Sequence, residues 1–380
     1  MSKGDVSVLR MGNLTQIGTI DYSNLVYTCN KDDIAKFELQ EGDLLFNRTN
    51  SSEWVGKTSL YDGKIPAIYA GYLIRIRAIG IDPNFLCMYM CSQYYRDWCL
   101  QVKTDAVNQS NINAQKLSKL YCPIPPLKEQ RRIVSIFNNI IAILTQIELS
   151  KSILISTITG IKSKILELAV QGKLVPQDPT DEPAADMLKR VNPKAKIITD
   201  NPHYPKLPDN WVLASLTDVC ESKLGKTLNN ETDEGIIQPY LCSINVKQGA
   251  FDLTVLKTAK IDPSEYERYS VYNGDLLICE GGDVGRCAIW KGDRIFYQNA
   301  LHRVRPLDIV DQKFLYYLVL YAKNKLWIEE LSSGVTIKHF TTKAMSQLVI
   351  PIPPYNEQIR IVRAIENLYK YVESIQVFLN

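Results

Sequence analysis

Residues 117–134 (LSKLYCPIPPLKEQRRIV) and 345–362 (MSQLVIPIPPYNEQIRIV) are one segment written twice, 228 positions apart and identical at eleven of eighteen positions. A repeat of so long a period is not a solenoid unit but a duplicated half-protein, so the chain should fold as two similar halves related by an approximate twofold. The duplication reaches well upstream. Glu41-Gly42-Asp43-Leu44-Leu45 matches Asn273-Gly274-Asp275-Leu276-Leu277, and Val55-Gly56-Lys57 matches Val284-Gly285-Arg286. Tyr72-Leu73-Ile74-Arg75-Ile76-Arg77 matches Ala300-Leu301-His302-Arg303-Val304-Arg305. The offset slips from 232 to 229 to 228 between these blocks. The length differences therefore fall in the loop after Gly-Asp-Leu-Leu and shortly beyond, where surface segments tolerate them.

With 380 residues, 46% of them hydrophobic and 22% charged, the chain is long enough for two or three soluble domains with proper cores. Nine cysteines at irregular spacing, no C-x-x-C and three histidines argue against a zinc site or a disulfide framework. The start, Met1-Ser2-Lys3-Gly4-Asp5, lacks the apolar stretch of a signal peptide. No uninterrupted apolar run reaches the roughly 18 residues of a membrane span. Free thiols without an export signal point to a reducing cytoplasm. A net charge of +3 neither announces nor excludes a nucleic-acid partner, since dedicated phosphate binders have domain pI values above about 9.

After Pro125-Pro126, which suit a helix start, a 4,3 apolar seam runs through Ile133, Phe137, Ile140, Leu144, Ile147, Lys151, Leu154, Ile158, Ile161, Ile165 and Leu168. Only Lys151 breaks it, and the predicted helix of about 40 residues is on the order of 60 Å long. Gly172 and Pro176 supply a stop. The second signature launches the same seam at Ile361, Ile365, Leu368, Val372, Ile375 and Leu379. Two matching seams predict an antiparallel coiled coil acting as a spacer between the globular halves. The alternative is that each helix packs on its own domain. Residues 1–120 and 207–345 mix strand-like runs such as Ile74-Arg75-Ile76-Arg77 with helical ones such as Phe314 to Leu331, which predicts two α/β domains. The expected order is thus a first domain (1–120), a long helix (121–175), a proline-rich linker (176–206), a second domain (207–345) and a second helix (346–380).

Catalytic motifs fail on inspection. Gly56-Lys57-Thr58 and Gly225-Lys226-Thr227 look like the end of a phosphate loop, but Ser51 and Cys220 stand where its first glycine belongs. Asn201-Pro202-His203-Tyr204 has no glycine-rich cofactor motif or strand beside it. Glu280-Gly281-Gly282-Asp283 reads as a turn.

The twice-used Pro-Ile-Pro-Pro-x-x-Glu-Gln before a heptad helix, with Gly172-Lys173-Leu174-Val175-Pro176-Gln177-Asp178-Pro179, Asp181-Glu182-Pro183-Ala184 and Leu207-Pro208-Asp209-Asn210-Trp211, resembles the specificity subunit of type I restriction-modification systems over nearly the whole chain. The resemblance implies two target recognition domains, each reading one half of a bipartite double-stranded DNA site, with the helices setting the gap. It further implies two methyltransferase subunits docked on the helices, motor-nuclease subunits for cleavage, and no catalytic residue, cofactor, metal or membrane contact in this chain. S-adenosylmethionine, ATP and magnesium would belong to the partners. Alternatives are a truncated silent or recombining cassette, or a coiled-coil scaffold without a DNA role.

Base reading needs side chains that pair with base edges, presented from loops. The variable loop after Gly-Asp-Leu-Leu offers Arg48, Thr49, Asn50, Ser51, Ser52 and Lys57 in the first half, and Asp283 and Arg286 in the second. A second set precedes each signature: Asn108, Gln109, Ser110 and Asn111, matched by Thr336, Ile337, Lys338 and His339. Aligning Val8 with Tyr240 leaves Leu207 through Gln238 without a counterpart in the first half, and Asn380 falls opposite Ser152. The chain reads as trimmed at both ends, with the half seam Leu154 to Leu168 expected to stay exposed.

Overall fold

Gly-Asp-Leu-Leu writes the central strand of each half, and its glycine and aspartate have separate tasks. Gly42 and Gly274 sit at φ +92° and +101°, a backbone region that a Cβ makes costly, and turn the chain into a fully buried strand. The aspartates, both nearly inaccessible, cap that turn by accepting from the Gln40 amide (2.9 Å) and the Tyr272 amide (2.8 Å). They also take a two-pronged bond from the last arginine of the Arg-x-Arg block: Arg77 to Asp43 at 2.9 and 3.4 Å, Arg305 to Asp275 at 2.5 and 2.9 Å. Charge-assisted forks of this kind are the stronger class of hydrogen bond.

The structure is a computed structural model that describes residues 6–107, 109–201, 203–204, 206–229, 234–334 and 338–377. It comprises two units, Met1–Leu149 and Ser150–Asn380, so the boundary falls inside the first long helix. Unit 1 runs β1 (Val6–Leu9), β2 (Val26–Thr28), α1 (Lys31–Phe37), β3 (Leu44–Asn47), β4 (Thr49–Asn50), β5 (Thr58–Leu60), β6 (Ala67–Tyr69) and β7 (Leu73–Ile76). It continues with α2 (Pro83–Tyr89), α3 (Gln93–Val102), β8 (Thr104–Ala106), β9 (Gln109–Asn111), α4 (Ala114–Leu117) and the start of α5 (Leu127–Val170). Three sheets form, in the orders β2-β1-β6, β5-β3-β7 and β4-β9-β8. Among the described residues of this unit, β1 and β6 alone pair in parallel.

Unit 2 contains the end of α5, then α6 (Ala184–Val191), β10 (Val212–Ser215), α7 (Leu216–Val219), β11 (Cys220–Leu224), β12 (Ile236–Leu241), β13 (Val246–Lys247), β14 (Ala250–Phe251) and β15 (Lys257–Ile261). There follow α8 (Tyr266–Tyr269), β16 (Ser270–Val271), β17 (Leu276–Cys279), β18 (Cys287–Ile289), β19 (Ile295–Tyr297) and β20 (Leu301–Pro306). The unit ends with α9 (Gln312–Asn324), α10 (Trp327–Leu331), α11 (Thr342–Gln347), β21 (Val349–Ile352) and α12 (Tyr355–Val377). The sheet β15-β12-β19-β16 repeats β2-β1-β6 with the same parallel pair, and β20-β17-β18 repeats β7-β3-β5. Two similar mixed units of helix and sheet, as the repeat predicts, are therefore present. Segment β10-α7-β11 has no counterpart among the described residues of unit 1, in line with the unmatched stretch from Leu207.

The Glu-Gln of each signature is a joint between helix and domain. Gln130 accepts from the Asp82 amide at the cap of α2 (2.8 Å) and donates to the Pro125 carbonyl (2.7 Å). Gln358 accepts from the Asp311 amide at the cap of α9 (2.8 Å) and donates to the Ile309 and Pro353 carbonyls (both 2.9 Å). Both side chains are buried, so each amide finds its partners inside the fold.

Helix α5 is 44 residues long and stops at Gly172, at φ +67°, where the Lys173 amide bonds the Leu168 carbonyl (2.9 Å). A Cβ there would also meet Pro208 Cγ at 2.5 Å. Ile165, Leu166, Ala169 and Val170 join the unit 2 core together with Ile361, Val362 and Ile365. Farther along, Lys162 bonds Glu373 (2.9 Å), and its carbonyl accepts from the Tyr369 hydroxyl (3.1 Å). As numbers rise on α5 they fall on α12, so the two are antiparallel here. Helix α12 packs on α9 as well, while Leu368 and Ile375 of the predicted seam stay exposed.

Two expectations need correction. The α5 seam is exposed over more than Leu154 to Leu168: Leu154 and Ile161 are exposed as expected and Ile158 and Ile165 are buried, but Phe137, Ile140, Leu144 and Ile147 are exposed as well. In an antiparallel pair the first turns of α12 meet the last turns of α5, so it is the beginning of α5 that is left open. Residues 176–206 are not a plain linker either: α6 buries Ala184, Met187 and Leu188 in the unit 2 core, because its apolar side chains share one face. By length and composition alone α5 is apolar enough to cross a membrane, although no uninterrupted run in it is.

Candidate nucleic-acid interface

In unit 1 the two predicted loops meet. Strand β3 ends at Asn47, the chain continues through exposed Arg48 into β4, and β4 pairs with β9 in the register Thr49 to Asn111 and Asn50 to Ser110. The Ile112 amide bonds the Arg48 carbonyl at 2.9 Å, and Asn111 Nδ2 bonds Thr49 Oγ1 at 2.8 Å. The first and second candidate sets are therefore one small platform at the end of β3.

The platform sorts the candidates. Arg48, Ser51, Ser52 and Gln109 are exposed and hold no side-chain partner among the described residues. Asn50 accepts from the Ser51 amide (2.8 Å). Ser110 is turned inward, buried and donating to Asp105, and so cannot reach a base. Lys57 lies half-buried over the Trp54 ring, 5.6 Å from its centroid. Burial first, and the Arg96 charge second, hold its ammonium below the usual lysine range. Lys57, Trp54, Glu53 and Arg96 line a cleft of about 220 Å³ beside the platform. Asn108 lies outside the described residues.

Unit 2 builds the same platform from different side chains. The Phe340 amide bonds the Glu280 carbonyl at 2.7 Å, the equivalent of the bond from Ile112 to Arg48, and Gly281 bridges His339 as Thr49 pairs with Asn111. His339 is exposed, with its ring 3.5 Å from where a Cβ on Gly281 would stand, and Lys338 donates to the Glu329 carbonyl (2.8 Å). Arg286 does not project outward: its Nη2 donates to the Ser243 carbonyl (2.7 Å) and Nη1 lies 3.5 Å from Asp283. It is a brace for the loop, and Asp283 is held by Lys323 as well. Thr336 and Ile337 lie outside the described residues.

Glu280, which the sequence reads as turn, occupies the position of Arg48. Burial pushes its carboxyl up. The signal that would have found it is the repeat itself, since Arg48 and Glu280 both follow the central strand at the offset of 232. An arginine in one unit and a carboxylate in the other suit different base edges, guanine for the first and cytosine for the second. Among the described residues no cluster of His, Cys, Asp and Glu could hold a metal ion.

The model of the type I restriction modification DNA specificity domain matches residues 2–156 and again 208–377. The MjaX type I restriction enzyme specificity subunit of Methanocaldococcus jannaschii is 26% identical over 373 residues, covering 93% of this chain and 78% of that protein. The EcoBI specificity subunit of Escherichia coli is 24% identical over 289 residues, covering 74% of this chain and 58% of that protein. Among solved structures, one from a study of complex assembly and conformational transition of a type I restriction-modification system has a TM-score of 0.67 at 18% identity, covering 98% of this chain and 86% of that one. The HsdS subunit from Thermoanaerobacter tengcongensis has a TM-score of 0.57 at 18% identity, covering 98% and 84%. At that identity these two likenesses speak for the fold.

Proposed function

Because this chain belongs to the family of type I restriction modification DNA specificity proteins, we propose that it is the noncatalytic sequence-reading subunit of such a complex, each unit reading one half of a bipartite double-stranded DNA site. The observation that carries this reading is the repeated platform. The same backbone bond fastens the same two loops in both units, while the side chains at the tips differ. Constant framework with variable tips is what two different half-sites require of one fold. Phosphate contacts from surrounding basic groups would position each unit, and the tips would discriminate.

Helices α5 and α12 set the gap between half-sites and dock two methyltransferase subunits. The open apolar stripe from Ile136 to Ile155 supports this, since a soluble chain with so large an exposed patch is suited to a partner surface. It also accounts for the apolar composition of α5 without a membrane. Motor-nuclease subunits join for cleavage in the cytoplasm, and S-adenosylmethionine, ATP and magnesium act in the partners.

The test is methylome sequencing of a host expressing this chain with its neighbouring methyltransferase gene, against a host expressing the methyltransferase alone. A new bipartite motif that depends on this chain is the expected result. No new methylation, with both proteins stably present, would leave the silent-cassette or scaffold reading in its place. Within an active complex, Arg48→Ala should relax the first half-site alone, with about 1–3 kcal/mol less discrimination at one base pair.

A further inference from the structure

Both units place a pair of cations beside the platform, and only one unit neutralises them from within. In the repeat, Lys57 corresponds to Arg286 and Trp54 to Asp283. Arg96 corresponds to Lys325, because Trp98 and Trp327 follow them by two positions and the next contact agrees: a Cβ on Gly56 would meet Cys99, and one on Gly285 would meet Ile328. In unit 2 each cation has a carboxylate. Asp283 lies 3.5 Å from Arg286, and Glu167 lies 3.6 Å from Lys325.

Unit 1 has an indole ring where unit 2 has the Asp283 carboxylate, and among the described residues neither Lys57 nor Arg96 is ion-paired. The Lys57 ammonium lies over the Trp54 ring, and Arg96 donates Nη2 to the Glu53 carbonyl. Both charges face a cleft of about 220 Å³. Two half-buried cations at one opening repel each other, which contributes, after burial, to holding the Lys57 ammonium low. Glu53, exposed at the rim, brings the single carboxylate among the lining residues.

We propose that this cleft binds a phosphate group carried by a nucleotide, the ligand supplying to Lys57 and Arg96 the negative charge that Asp283 and Glu167 supply in unit 2. Lysine offers a compact charge and arginine the remaining N–H groups of a planar fork, a combination suited to phosphate oxygens. The Trp54 ring offers an aromatic surface to the sugar or base that the phosphate carries. Lys57 is then a positioning residue rather than a reader of base edges, in keeping with the large share of nucleic-acid contacts that go to phosphate and sugar. Two sources carry this chemistry, the DNA backbone and a free nucleotide. Assigning the site to the backbone rests on the function proposed above; the site itself does not.

The experiment has two arms. In one, thymidine 5′-monophosphate is titrated calorimetrically into the full chain; in the other, a fluorescent duplex is titrated by anisotropy, at several salt concentrations, into the full chain bound to its neighbouring methyltransferase. Saturable one-to-one binding in the first arm, weakened about tenfold by Lys57→Gln and by Arg96→Gln, supports the site with a free nucleotide as its source. A salt slope in the second arm that falls by about one for each of these variants supports it with the backbone as its source. Lys57→Arg should retain binding. Glu53→Gln, an exchange of an exposed side chain that keeps the test decisive if the other variants fold poorly, should tighten it. Indifference of both arms to all of these variants would overturn the proposal. So would hexaglutamate binding as tightly as the nucleotide, or Lys325→Gln in unit 2 having as large an effect as Arg96→Gln.

Discussion

Units 1 and 2 share a framework and differ in how completely it is satisfied. In unit 2 the central strand ends at Cys279, a small apolar residue; in unit 1 the same position is Asn47, buried with neither side-chain atom bonded among the described residues. The reverse holds one strand away. Ile74 of unit 1 corresponds to His302 of unit 2, a buried imidazole with no close hydrogen-bond partner for either ring nitrogen among the described residues. The comparison shows which positions the fold dictates. Gly42, Asp43, Arg77 and Gln130 recur because each meets a geometric demand that few other residue types meet, whereas Asn47 and His302 sit where an apolar side chain of similar size would serve.

The joint glutamines should give the largest effect. Gln358→Ala removes three bonds inside the fold and leaves three backbone groups unsatisfied, so unit 2 should lose about 3 kcal/mol; Gln130→Ala removes two bonds and should cost unit 1 about 2 kcal/mol. Urea unfolding followed by hydrogen exchange in each unit measures both. Equal losses, or losses confined to the helices, would break the equivalence of the joints.

His302 offers a test by pH. Burial lowers its imidazole from 6.5 to about 4, so between those values the unfolded chain takes up a proton that the folded chain refuses. Stability is therefore full above pH 6.5 and falls as pH drops towards 4, by on the order of 2–3 kcal/mol. His302→Ile, which writes the unit 1 residue into unit 2, should flatten that slope and raise stability at neutral pH by about 1 kcal/mol. The converse exchange, Asn47→Cys, relieves two unsatisfied atoms and should stabilise unit 1 by about 1 kcal/mol. A loss of stability there would show that Asn47 has a partner in the working state.

Ile140→Asp should change least. Ile140 is exposed on α5, and surface changes stay within about 0.5 kcal/mol. Co-purification with the methyltransferase subunit should nevertheless fall sharply. Retained co-purification would move the docking surface off the α5 stripe.

Much of this was legible in the sequence. The repeat announced two units, Ile74-Arg75-Ile76-Arg77 announced a strand, and Pro-Ile-Pro-Pro-x-x-Glu-Gln announced the helix starts. The two loops chosen as candidate readers do meet in each unit. Pattern alone could not show that Ser110 turns inward to Asp105, or that the Ser243 carbonyl, 43 residues away, captures Arg286. The first depends on how the β8–β9 hairpin folds back on itself, and the second on a contact distant in sequence. The bare stretch of α5 was only partly foreseen, at Leu154 and Ile161, because seam positions were matched in chain order, whereas the antiparallel pairing joins ends in reverse. Likewise α6 hides in a proline-rich stretch whose composition resembles a tether.

The glutamine joints carry a practical consequence. Gln130 and Gln358 fasten their helices with matching bonds to the cap of the helix that follows the sheet, so each helix is joined to its own domain by the same contact. Such a coupling is interchangeable. A module cut between the two prolines and the Glu-Gln could be grafted onto the other stem without retuning the stem, which makes Pro125-Pro126 and Pro353-Pro354 the natural seams for assembling hybrid proteins.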